Sequence, residues 1–140
     1  MSHIAKINTK IKDLSKLKKA LRMLGMQWLE AEEGETLTLK GFGKNEFIEG
    51  CVMEIKTGSS YSIGIRKKNA ENEVESYEVA ADWWAIETFT GQNQEDIMSR
   101  ITRQYAYETV MDKVRSMGYS VVNEEADTQE NLRITVRRWD

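Results

Sequence analysis

The chain has 140 residues, 40% hydrophobic and 31% charged, with a net charge of −3. That is the balance of one soluble globular domain, residues 1–140, long enough for a core of its own. One histidine, one cysteine and no proline exclude an internal disulfide, a zinc cluster of soft ligands and a cis-proline device.

Residues 3–11 set Ile7 and Ile11 among alternating polar residues, the pattern of a strand. Asp13 then stands as an N-cap. Leu14, Leu17, Leu21 and Leu24 follow at spacings of three and four, which predicts a helix with one apolar stripe, ended by Gly25. Lys12, Lys16, Lys19 and Arg22 fall largely outside that stripe and form a candidate basic patch. Residues 1–22 carry six lysines and Arg22 against Asp13, a balance of +6, which leaves −9 for the remainder of a chain whose total is −3. A basic edge on an acidic body can steer an anionic partner, although a lysine-rich run is more often a solvated helix face.

Residues 26–32 and 35–42 predict a hairpin around Glu33-Gly34. Further strands are expected at 47–56, at 61–66 and at 74–81, with turns at Gly58-Ser59-Ser60 and from Lys67 to Glu73; the last strand runs into Asp82-Trp83-Trp84. On a strand, the two tryptophans would face opposite ways, one into the core and one out. Asn93 is the expected cap of a longer helix with Glu95 and Asp96 in its first turn and Gly118 at its end. The apolar residues of this helix change face: Ile97, Ile101 and Tyr105 share one side, and Tyr107, Val110, Met111, Val114 and Met117 another. Helix, acidic turn and flanking strands recur in both halves. The predicted fold is therefore α+β: a mostly antiparallel sheet with two main helices on one face, arranged as two strand–helix–strand–strand halves.

No catalytic constellation stands out. A Ser-His-Asp or Cys-His arrangement would have to use His3, no nucleophile-elbow motif surrounds a serine, and Gly41-Phe42-Gly43-Lys44-Asn45 is a hairpin turn and not a phosphate loop. Neither a cofactor nor a metal is expected. No apolar run reaches the roughly 18 residues of a membrane span and no apolar leader is seen, so a cytoplasmic protein is expected. Residue types that dominate interface hot spots cluster at Asp82, Trp83 and Trp84 and at Arg103, Tyr105 and Tyr107. These are the candidate partner-binding residues. Tyr105 and Tyr107 project about 200° apart on a helix, so they serve one face only if the helix is sandwiched. Tyr61, Arg66 and Arg137-Arg138-Trp139 offer pieces of an aromatic and basic surface of the kind that binds nucleic acid. The pI near 5.4 argues against a strong nonspecific binder.

The opening MSHIAKINTKIKD, the doublet in AADWW, the stretch RQYAYETV and the closing ITVRRWD resemble a family of small proteins of unknown function found in algal plastid genomes as a hypothetical chloroplast reading frame, in cyanobacteria, in other bacteria and in phages. The resemblance covers essentially the whole chain and departs from the plastid-like pattern in a longer, glycine-punctuated section at residues 42–60. No catalytic role comes with these motifs. What the resemblance implies is an accessory or adaptor role beside ATPases of the AAA class. The expected function is thus non-enzymatic binding of a macromolecule, a protein first, with a nucleic-acid-binding module as the alternative and an enzyme third.

Overall fold

The computed structural model describes residues 3–68, 76–126 and 132–138. In chain order the elements are β1 (Ile4–Asn8), α1 (Leu14–Met23), β2 (Trp28–Glu30), β3 (Leu37–Lys40), β4 (Phe47–Ile55), β5 (Ile63–Lys68), β6 (Ser76–Asp82), α2 (Trp83–Thr90), α3 (Gln94–Ser116), β7 (Tyr119–Ala126) and β8 (Leu132–Arg138). The fold is α+β. The main sheet has six strands in the order β1-β6-β5-β4-β2, with β3 also paired to β4, and every pairing in it is antiparallel. β7 and β8 form a separate antiparallel pair. The second half therefore differs from the first: it carries the additional helix α2, and its last two strands do not join the main sheet.

Alternation along the central strands builds two faces. Met53 and Ile55 of β4, Ile63 and Ile65 of β5, and Tyr77, Val79 and Ala81 of β6 line the first face. Leu17 and Leu21 of α1, Trp83 and Ile86 of α2, and Ile97 and Ile101 of α3 pack on it in one core. Both main helices thus lie on one face. Within the expected stripe of α1, Leu17 and Leu21 are fully buried, while Leu14 and Leu24 are half-buried against the same core. Asp13 caps α1 by accepting the Lys16 N–H at 3.2 Å, and Asn93 caps α3 by accepting that of Asp96 at 2.8 Å.

The opposite face holds a smaller apolar cluster: Leu39, Ile48, Cys51 and Ala80, with Ile4 and Leu37 against them. It forms because β4 bends. A register shift interrupts β4 between Cys51 and Met53, and Gly50 beside it has φ of 73°, a left-handed conformation that a side chain would strain. The bend carries the β3–β4 hairpin back over the sheet. Its tip reaches strands far from β4: a Cβ on Gly41 would lie 3.2 Å from Ile4 Cδ1, and the Phe42 N–H donates to Asp82 at 2.8 Å.

The same bend explains two departures from the sequence pattern. β2 and β3 both pair with β4, β2 along residues 53–55 and β3 along residues 47–51, so they lie end to end instead of forming the expected hairpin. The interruption divides β4 into two parts, and each short strand pairs with one of them. The second departure is at Asp82-Trp83-Trp84, where the strand was expected to continue. Asp82 accepts the Ala85 N–H through Oδ1 at 3.1 Å and starts α2, which ends at Gly91. The described part of the strand expected at 74–81 is β6, from Ser76; Lys67 and Lys68 belong to β5 and not to the expected turn, and residues 69–75 and Trp139 lie outside the described residues.

Candidate functional site

The first turn of α2 separates the two tryptophans by about 100° of helix rotation. Trp83 turns inward and is 4% exposed; Trp84 turns outward and is 42% exposed. The opposition expected of a strand is thus reached by a helix. Trp83 is a core residue whose indole Nε1 has no hydrogen-bond partner among the described residues.

Trp84 sits in a surface cluster of rings drawn from α2 and from three segments outside the helices and strands. The His3 ring stacks on it at 4.9 Å, and Phe42 meets it edge-on at 4.8 Å. Phe42 lies 6.3 Å from Phe89 of α2, and Phe89 stacks on Tyr61 at 5.5 Å. The Lys40 ammonium is 5.4 Å from the Tyr61 ring centre. Phe42 is 49% exposed and Phe89 57% exposed. Rings that pack on one another while keeping half their surface in water form a contiguous apolar patch, which a monomer has little reason to expose. Asp82, buried beneath it, holds both sides: one oxygen caps α2 and the other binds the hairpin tip at Phe42.

The other candidate residues lie elsewhere. The half-buried Tyr105 hydroxyl accepts the N–H groups of Lys12 at 3.0 Å and Asp13 at 3.2 Å, so it ties α3 to the start of α1. Tyr107 is half-buried two positions further along α3. Arg103 is exposed and lines a small polar cleft with Arg100, Gln92 and Asp96. Trp84 and the Arg103-Tyr105-Tyr107 turn therefore occupy separate neighbourhoods. In the basic patch, Lys16 lies 3.9 Å from Asp13 and 4.0 Å from Asp112, and Lys19 lies 3.8 Å from Asp112. Such half-exposed pairs add little stability, but they offset the local positive charge. The Arg22 guanidinium stands 5.8 Å over Trp28. Lys12 is exposed at the turn that Tyr105 holds.

His3, Phe42, Tyr61 and Phe89 were not among the candidate residues for a protein partner. Their only sequence signal is aromatic character at scattered positions; the bend in β4 and the cap at Asp82 bring them together. No group of three or more His, Cys, Asp or Glu side chains that could hold a metal occurs among the described residues. Cys51 and Glu54 have displaced pKa values. Burial pushes the Cys51 thiol up, Arg66 partly opposes this and Glu54 adds to it, giving about 11. Burial also works to raise the Glu54 carboxyl, but hydrogen bonds from Ser62 and Lys56 outweigh it and hold the group below its ordinary value. Arg66 Nη2 is 2.9 Å from Glu78 Oε1, close for a charge pair but not aligned as a hydrogen bond.

A family model described as "Protein of unknown function (DUF1257)" matches residues 20–135. The chain belongs to this family. It is similar to the uncharacterized protein ycf35 of Cyanophora paradoxa, 28% identical with 99% of this chain and 98% of the relative covered. It is 29% identical to the protein of that name from Guillardia theta over the same shares, and 25% identical to that from Pyropia yezoensis with 100% and 99% covered. No solved structure matches it. The whole-length agreement with these algal proteins bears out the resemblance to a small uncharacterised plastid family carried by the four sequence motifs. No helix among the described residues is long and apolar enough to cross a membrane.

Proposed function

We propose that this family member is a non-enzymatic protein-binding adaptor of the cytoplasm, and that its partner anchors on the aromatic patch centred on Trp84. The observation that supports this most is the exposure of Trp84, Phe42 and Phe89 as neighbours on elements fixed from below by Asp82. A rigid aromatic surface loses little conformational entropy on binding and gains its full desolvation, which is why Trp and Tyr dominate hot spots. The partner class implied by the family resemblance is an ATPase of the AAA class, and that is the first bait. Trp84→Ala is expected to keep the native melting temperature and to weaken partner capture by about 2 kcal/mol or more, roughly thirtyfold in Kd. Trp83→Ala is expected to lose stability instead. Undiminished capture by Trp84→Ala, with the partner identified by mass spectrometry from the native host, would defeat the reading.

One observation favours a second reading. The Lys40 ammonium over Tyr61 adds a cation to the rings, the combination used by sites for single-stranded nucleic acid. A salt titration separates the two: phosphate contacts give a steep fall of affinity with salt, and an apolar protein interface does not.

A further inference from the structure

β1 is the terminal strand of the main sheet. It pairs with β6 on one side and with nothing among the described residues on the other. Alternate residues in an antiparallel pair turn their N–H and C=O groups away from the partner, so the outward groups of residues 5–8 form an edge that no strand among the described residues occupies. Beside that edge runs an open groove of about 590 Å³ between β1 and the start of α3. Its apolar floor is Ile7 and Met98, both only partly buried against the main core. Its charged lining residues are Glu87 and Glu95, both exposed.

We propose that this edge and groove bind an extended peptide as an added strand, one that carries an apolar and a basic side chain on the same face. Strand addition uses the unpaired edge for affinity and the neighbouring pockets for choice of side chain. Glu95, the neighbours Met98 and Ser99, and Thr102 form one stripe of α3 that spans three successive turns. A helical turn rises about 5.4 Å and two strand residues about 6.6 Å, so residues i and i+2 of a peptide laid along this stripe match successive turns of the helix. The residue over Ile7 and Met98 is apolar, and its neighbour on that face meets Glu95. Lysine on an edge strand is a common guard against unwanted pairing. Lys6 does not obstruct this groove: it is opposite Ala80, which belongs to the second face, whereas Ile7 is opposite Val79 on the first. The opposite edge of the sheet has no comparable arrangement, being divided between the short strands β2 and β3. The inference does not depend on the Trp84 patch, and the failure of either leaves the other standing.

The test uses the whole chain and a fluorescein-labelled peptide of repeating Thr-Val-Thr-Lys, read by fluorescence anisotropy. Saturable binding is expected, weakened roughly fivefold by Glu95→Lys, since an exposed ion pair turns repulsive, with only a small fall in melting temperature from the loss of an acid in the first turn of α3. A peptide with glutamate in place of lysine is expected to bind Glu95→Lys better than the native chain. N-methylation of one alternating set of peptide amides is expected to abolish binding, and methylation of the other set to leave it intact. No saturable binding at millimolar probe, or equal effects of the two methylated sets, would overturn the proposal. So would concentration-dependent self-association that the peptide fails to disperse, which would assign the edge to a second copy of the chain.

Discussion

The Asp82 carboxylate accepts the backbone N–H of Phe42, 40 positions away in the chain, at 2.8 Å. Its other oxygen accepts the Ala85 N–H at 3.1 Å. One buried side chain thus ends β6, starts α2 and fastens the tip of the β3–β4 hairpin. Asp82→Ala would strand two N–H groups in or near the core. Each such loss costs about 1–3 kcal/mol, including the cap, so a total of about 2–4 kcal/mol is expected in urea denaturation. Asp82→Asn, which keeps one acceptor oxygen, is expected to fall between. Trp84 and Phe42 should also separate, a change visible in near-ultraviolet circular dichroism before global unfolding. An unchanged urea midpoint for Asp82→Ala would show that the hairpin is held by other contacts.

Tyr105 has a structural task that its place among the candidate binding residues did not suggest. Its hydroxyl serves the N–H groups of Lys12 and Asp13 just ahead of α1. Tyr105→Phe keeps the ring and removes the acceptor, so a loss of about 1–2 kcal/mol is expected. Hydrogen exchange of the amides at Lys12 and Asp13 should quicken in the variant. Partner capture should be unaffected if Trp84 carries binding. A variant that stays fully stable but loses capture would return Tyr105 to the interface.

Much of the architecture was legible because local signals agreed with the fold. Asp13 and Asn93 cap their helices, the leucine spacing of α1 marks its buried side, and alternation at Ile63 and Ile65 marks a central strand. The misread places share a physical cause. β2 and β3 were read as partners because a glycine turn joins two alternating segments, but pairing is decided by the edges β4 offers after it bends at Gly50. Asp82-Trp83-Trp84 reads as the continuation of the preceding strand, although an aspartate ahead of Trp-Trp-Ala-Ile and a glycine nine residues on is equally the signature of a short capped helix. Of the candidate surface, Trp84 was legible as a hot-spot type. Phe42 was not, because only the folded hairpin brings it there, and Phe89, on the same helix as Trp84, joins the patch through Phe42 and Tyr61.

Close approach, and not backbone conformation, fixes Gly64. A Cβ there would lie 2.6 Å from Cys51 Sγ and 3.2 Å from the Ala80 carbonyl oxygen. Gly64→Ala is expected to cost about 1–3 kcal/mol through overpacking. Cys51→Ala removes the nearer obstacle at the expense of a small cavity. In the double variant the two losses should therefore not add: the combined cost is expected to fall short of their sum by about 1 kcal/mol, since residues in contact couple. Rescue stays incomplete because the carbonyl oxygen remains. Strict additivity in a denaturation cycle would mean that Leu39 or the strand backbone, and not Cys51, limits the space.

Cys51 also sets an alkaline limit on stability. The fully buried thiol has its pKa pushed from 9.0 up to about 11, with burial as the main cause. Below pH 9 both the folded and the unfolded chain hold the proton, and the group contributes no slope. Between about pH 9 and 11 the unfolded chain releases the proton and the folded one keeps it, so the unfolded state is favoured increasingly as pH rises. Stability measured by urea denaturation should accordingly fall across this window. Lysines and tyrosines titrate nearby, so the informative quantity is the difference between the native chain and Cys51→Ala, in which this part of the slope should vanish. The same burial predicts that a thiol reagent such as dithionitrobenzoate reacts with Cys51 only as fast as the core opens, and at once in denaturant. Rapid labelling of the native chain at neutral pH would place the sulfur at the surface and remove the basis for the alkaline slope.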